Sequence, residues 1–193
     1  MKTVLFVPGF QEDLMTRDYK SAIKAIESCG YKVQFVPIKW QRTTITHWVA
    51  ELEAVYSKLD PANTVLAGFS YGSMTAFMAA TKRNPSQLWL FSFSPYFADD
   101  IPKLKKSWLN NIGHRRVDAF KNLDFNMLAK QITCPTLIIL GEVEAEKYPL
   151  LDRRAKLAHE KITGSTLVIA PDSDHDVGDP NYVKTIKAAI EKL

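Results

Sequence analysis

The feature that most constrains this chain is an alternation. Short apolar runs at residues 3–7, 32–36, 63–68, 88–93, 136–140 and 166–170 are separated by stretches whose apolar residues recur at helical spacing. Strands apolar along their whole length must be buried on both faces, and helices between consecutive strands are what cover them. The pattern predicts an α/β chain: a three-layer α/β/α sandwich around a mostly parallel, six-stranded sheet. Helices are expected at 17–28, with Tyr19, Ile23 and Ile26 on one face, at 45–59, at 73–81 and at 151–161. A last helix has Asp179 as N-cap and Pro180 at its first position, with Val183, Ile186, Ile190 and Leu193 facing inward. The alternation fails once. Residues 98–132 are too long for an ordinary connection, and they carry helical spacing at Leu104, Trp108 and Ile112, then at Leu123 and Leu128. This stretch is expected to be a small lid insertion, or a pair of short helices, in one domain spanning 1–193.

Parallel sheets place their functional groups at the carboxyl ends of the strands. At one such end stands Gly68-Phe69-Ser70-Tyr71-Gly72, a G-x-S-x-G pattern that follows an apolar strand and opens a helix. That turn forces the serine into a strained backbone, and the flanking glycines remove Cβ atoms that would collide with neighbouring chain. Ser70 is therefore the candidate nucleophile, with the N–H of Tyr71 at the positive end of a helix as a candidate oxyanion donor. A serine hydroxyl needs a base to take its proton. Of the four histidines, His47 and His159 fall in helical stretches and His114 in the insertion. His175 follows the sixth strand by a short loop and is the candidate base.

A carboxylate should orient that imidazole. The fifth strand runs into Gly141-Glu142-Val143-Glu144-Ala145-Glu146, so three glutamates compete. Glu144 is preferred; Glu142 and Glu146 stay open, and Asp172 or Asp174 is a weaker source. The loop after the first strand, Pro8-Gly9-Phe10-Gln11, should supply a second oxyanion donor, Phe10 first and Gln11 next. Tyr71, Tyr96, Phe97 and Gln11 are the residues expected to meet a substrate.

Several classes are disfavoured. The apolar run at the start breaks at Pro8-Gly9, with Glu12 and Asp13 close behind, which suits a first strand better than a signal peptide. No stretch approaches the roughly 18–20 apolar residues of a membrane span. A net charge of +4 without a long basic block gives no sign of nucleic acid binding. The cluster Lys103, Lys105, Lys106, Arg115 and Arg116 reads as a solvated face. Cys29 and Cys134 lie far apart, as suits buried thiols in a reducing cytoplasm. Asp172, Asp174 and Asp176 alternate as in a calcium loop, but the glycine comes one place late and Val183 stands where a glutamate is needed. With no phosphate loop, dinucleotide fingerprint or zinc spacing, no cofactor or metal is expected.

Taken with Val7-Pro8-Gly9-Phe10, the segment Ile132-Thr133-Cys134-Pro135 leading into Thr136–Leu140, and His175 before a terminal helix, these motifs make nearly the whole chain resemble the α/β-hydrolase superfamily. The family's two leading antiparallel strands are missing, which is similar to its small, retinoblastoma-binding-protein-9-like serine hydrolases. The acid would be Glu where Asp is commoner, and Pro-Gly stands where His-Gly is customary. The resemblance implies a carboxylesterase-like or thioesterase-like enzyme acting on a small acyl substrate through an acyl-serine. It also admits a hydrolase-fold protein that works by binding a protein partner.

Overall fold

The structure, a computed structural model, describes residues 1–15 and 18–193. Six strands form one sheet: β1 (Thr3–Val7), β2 (Lys32–Phe35), β3 (Thr64–Phe69), β4 (Gln87–Phe91), β5 (Thr136–Gly141) and β6 (Ser165–Ala170), in the order β2-β1-β3-β4-β5-β6. Each neighbouring pair is parallel. The helices are α1 (Tyr19–Ser28), α2 (Ile45–Tyr56), α3 (Tyr71–Lys82), α4 (Lys106–Ile112), α5 (His114–Phe120), α6 (Phe125–Ala129), α7 (Glu142–Lys147), α8 (Pro149–Lys161) and α9 (Pro180–Ile190). The expected start of the first helix, Arg17, lies outside the described residues.

The side-chain alternation of a strand divides the core in two. Leu5, Val7, Leu66, Leu88, Leu90, Ile138 and Leu140 point to the face covered by α2, α3 and α8. Val4, Phe6, Val65, Phe69, Trp89, Phe91 and Ile139 point to the opposite face, covered by α1 and α9. In α9 Asp179 caps the helix through the N–H groups of Asn181 and Tyr182. Its buried face is Tyr182, Ile186, Ala189 and Ile190, whereas Leu193, expected to face inward, lies past the helix end and is exposed. The stretch 98–132 is a 3-10 turn (Ile101–Lys103) and three short helices, α4 to α6, one more than the expected pair. Ile112, Val117, Phe120 and Phe125 from it are buried in the core that α2 and α3 share, so it is packed down on the sheet's cover.

A buried ionic cluster fastens the start of that insertion. Arg154 in α8 donates to Asp99 (2.8 Å) and Asp100 (2.5 Å), and Arg153 donates to the same two carboxylates. The Arg154 guanidinium also lies 4.3 Å from the Phe125 ring centroid and 4.7 Å from that of Phe97. Burial raises the Asp100 carboxyl above its ordinary range despite Arg154. At half-exposed Asp99 burial acts the same way, but Arg154 and Arg153 outweigh it and hold that carboxyl low. Deleting one partner of a fully buried pair strands the other charge, at a cost of about 3–5 kcal/mol. Arg153 still reaches Asp100 in Arg154→Ala, so that variant is expected to lower unfolding free energy by less than that, about 2–3 kcal/mol, in urea titration. Arg154→Met combined with Asp100→Asn, which retains an acceptor for the Phe97 N–H, should recover part of the loss.

Candidate active site

Ser70 sits between β3 and α3 with φ 57° and ψ −118°, a left-handed conformation that a non-glycine residue holds only when its surroundings impose it. Those surroundings are close-packed backbone. A Cβ on Gly68 would come within 2.2 Å of the Gly72 carbonyl, and one on Gly72 within 2.1 Å of the Val7 oxygen. Both glycines are thus required by contact as well as by the motif. The Ser70 N–H donates to the Phe91 carbonyl at 2.9 Å, and Ser73 Oγ donates across the same turn toward Gly68 and Phe91 oxygens. The elbow is pinned from both sides.

His175 Nε2 lies 3.1 Å from Ser70 Oγ. The other ring nitrogen, Nδ1, is hydrogen-bonded to Glu144 Oε1. Glu144 is fully buried, and its second oxygen accepts from Ser92 Oγ at 2.7 Å and from the Gly141 N–H at 3.1 Å. A buried carboxylate stays charged only when its lone pairs are met by donors, and here imidazole, hydroxyl and amide supply them. The hydroxyl of buried Tyr182 stands 3.0 Å from Ser92 Oγ and 3.0 Å from the Ile139 carbonyl. Burial, and then the nearby Glu144, push its ionisation well above the ordinary phenol range, so it remains a neutral donor.

Residues 142–147 form the helix α7, which turns its three glutamates to different sides. Glu142 and Glu146 are four residues apart and share a helical face, while Glu144 points to the other side. Glu142 and Glu146 are exposed; Glu142 accepts from the Asp172 N–H at 3.0 Å. Glu144, at the third helical position, faces the sheet and accepts from the N-cap amide, half of a capping box. The histidine loop docks on the same helix. The Ser173 carbonyl accepts from the N–H groups of Val143 and Glu144, and a Cβ on Gly141 would lie 2.4 Å from that oxygen. Asp174 is half-exposed and paired with Lys147, whose ammonium holds its carboxyl below the usual range.

Near Ser70, the loop after β1 lies against the first turn of α3, with the Phe10 ring centroid 5.0 Å from that of Tyr71. Neither the Phe10 nor the Tyr71 N–H donates a hydrogen bond to a described residue. A cavity of about 130 Å³ opens over the serine, lined by Ser70, Ser94, Tyr96, Trp108, Tyr148 and His175 among others. Tyr96 lines it, its phenol pushed up to about 12 by burial. Phe97 does not: it is fully buried among Phe77, Phe93, Phe125 and Arg154. Gln11 is exposed, at φ 59°, and is no part of this lining. Tyr71 is mostly buried in an aromatic cluster with Trp48, Tyr96 and Phe120.

Sequence reasoning missed Ser94, whose hydroxyl lies 3.3 Å from Ser70 Oγ, and Ser92, which holds Glu144. Both lie within three residues of the end of β4, at the carboxyl edge of the sheet, and that position was the available signal. The arrangement can pass a proton from an alcohol to an imidazole whose far side faces a buried carboxylate. Among the described residues no group of three or more His, Cys, Asp or Glu is placed to hold a metal, and no helix is long and apolar enough to cross a membrane.

No protein-family model matches the chain, and no curated protein matches its sequence. Solved structures do match. Est1E from Butyrivibrio proteoclasticus superposes with a TM-score of 0.80 at 16% identity, covering 99% of this chain and 86% of its own. A bromoperoxidase from Bacillus anthracis gives 0.71 at 16% identity, over 98% of this chain and 90% of its own. A structure from the study of carboxylesterases of Nitrososphaera gargenis gives 0.72 at 14% identity, over 99% and 91%. With a six-stranded parallel sheet covered on both faces and this extent of superposition, the chain has the α/β-hydrolase fold, shared by esterases and other hydrolases.

Proposed function

We propose that this chain is a serine hydrolase that cleaves a small carboxylic ester or thioester through an acyl-Ser70 intermediate. The observation that carries the reading is the continuous contact Ser70 Oγ to His175 Nε2 (3.1 Å) and His175 Nδ1 to buried Glu144. His175 takes the Ser70 proton as Oγ attacks the carbonyl carbon, and Glu144 stabilises the resulting imidazolium. The carbonyl oxygen becomes an oxyanion, toward which the N–H groups of Tyr71 and Phe10 are assigned as donors. The imidazolium then protonates the leaving alcohol or thiol as its bond to carbon breaks. Water, deprotonated by His175, attacks the acyl-serine; the free acid departs and the proton returns to Ser70.

We also assign the lid role to the 98–132 insertion within a single hydrolase domain, since Tyr96 and Trp108 bring its flank to the cavity. The small retinoblastoma-binding-protein-9-like hydrolases remain the subgroup the chain's motifs suit best. A cytoplasmic site of action agrees with two unpaired cysteines, Cys29 and Cys134. The test is labelling by a fluorophosphonate probe, followed by mass spectrometry of the adduct. Wild-type protein is expected to carry one adduct on Ser70 and Ser70→Ala none. An unlabelled wild type, or undiminished labelling of Ser70→Ala, would overturn the assignment and leave partner binding as the function.

A further inference from the structure

A cavity of about 130 Å³ over Ser70 holds a reacting carbonyl and little else, since sites for whole ligands run to roughly 300–1,000 Å³. Beside it is a second cavity of about 330 Å³, and Pro95, Trp108, Tyr148 and Leu151 wall both. Trp108 and Tyr148 stand at the junction with ring centroids 6.1 Å apart, each more than a third exposed, although large aromatics are ordinarily covered. Two cavities with four walls in common form one cleft, with the serine at its inner end.

The outer part of that cleft has a distinct chemistry. Its apolar lining includes Leu104, Pro149 and Leu150, and every ionisable group on it bar the Tyr148 phenol is a lysine: Lys103, Lys105 and Lys147. No carboxylate among the described residues lines it. Lys147 is paired with Asp174, and Lys103 donates to the Asp99 carbonyl, 2.6 Å away. Lys105 has no acidic partner among the described residues, and Asp99, whose carboxylate lies 3.9 Å from Lys103, is committed to Arg153 and Arg154. Positive charge at the mouth of a low-dielectric cleft selects for negative charge on what enters it.

Resting on the serine-hydrolase reading, we infer that the substrate is an ester or thioester with an apolar arm ending in an anion, such as a carboxylate. The carbonyl sits at Ser70, the arm runs between Trp108 and Tyr148 along Leu104 and Leu150, and its anionic end meets Lys105 and Lys103. This assigns a role to part of the basic cluster that the sequence suggested was only a solvated face.

The test compares mono-p-nitrophenyl adipate with p-nitrophenyl hexanoate, which lacks the terminal carboxylate, on wild type, Lys105→Glu and Lys103→Ala/Lys105→Ala. A parallel pair, 4-acetoxybenzoate against phenyl acetate, carries the anion on the leaving group. Lys105→Glu is expected to lower kcat/KM for one of the two anionic esters about tenfold, leaving the neutral esters within about twofold. The double alanine variant should act in the same direction, and added salt should narrow the wild-type preference. The series that responds tells whether the acyl or the alcohol arm occupies the cleft. If Lys105→Glu slows neutral and anionic esters alike, or neither series responds, the inference fails. Fluorophosphonate labelling of Ser70 separates that failure from the other. Labelling as fast in Lys105→Glu as in wild type retains the serine mechanism whatever the selectivity, and an unlabelled wild type removes the mechanism itself.

Discussion

Replacing Ser70 by alanine is expected to lower kcat/KM on p-nitrophenyl acetate by roughly 10⁴–10⁶-fold. His175→Ala alone should cost about as much, and the two together little more. The reason is the geometry: the hydroxyl 3.1 Å from Nε2 is a useful nucleophile only while the imidazole accepts its proton, and the imidazole has nothing to activate once the hydroxyl is gone. What remains should be the slow turnover supported by binding and by the N–H donors at Tyr71 and Phe10. Steady-state assays of the two single variants and the double variant, with circular dichroism to check folding, measure this directly. Losses that multiplied in the double variant would mean that the residues act independently and not as one relay.

The second large effect is expected at Glu144. Glu144→Gln keeps size and shape, yet should lower kcat/KM by roughly 10⁴-fold through the wrong imidazole tautomer. The Gly141 N–H is a fixed donor, so the glutamine carbonyl must occupy the position of Oε2 and its NH₂ the position of Oε1. That NH₂ faces His175 Nδ1, which must then be the acceptor, leaving the proton on Nε2 where it cannot receive the one from Ser70. Glu142→Gln and Glu146→Gln lie on the exposed side of α7 and should leave activity within about twofold. Titration of the His175 ring nitrogens by NMR should report the tautomer change in Glu144→Gln alone. If activity instead follows Glu142, the assignment of the acid is wrong.

The cleft and the Arg154 ion cluster share structural elements. Arg153 and Arg154 belong to α8, which also contributes Leu151 to both cavities, and their carboxylate partners precede the turn that carries Lys103. A loss of packing at Arg154 should therefore also disturb ester turnover, whereas charge reversal at Lys105 should change selectivity and leave urea stability unaltered.

What the chain's order of residues determined by itself is whatever depends on near neighbours. Apolar runs of strand length, helical spacing between them, a serine between two glycines and a proline after Asp179 are local patterns with local causes. They were enough for the parallel α/β sandwich and for placing Ser70 and His175 at strand ends. Which glutamate turns inward was decided by a short helix whose first turn is capped by the Ser173 carbonyl, a partner thirty residues away in sequence. Phe97 and Tyr96 are neighbours in sequence, yet one is sealed in the core and the other lines the cavity. Ser92, Ser94, Trp108 and Tyr148 reach the site from three separate segments. Those outcomes belong to the tertiary structure, because side-chain direction at a strand end and the docking of one loop on another depend on contacts between distant segments, which no local pattern records.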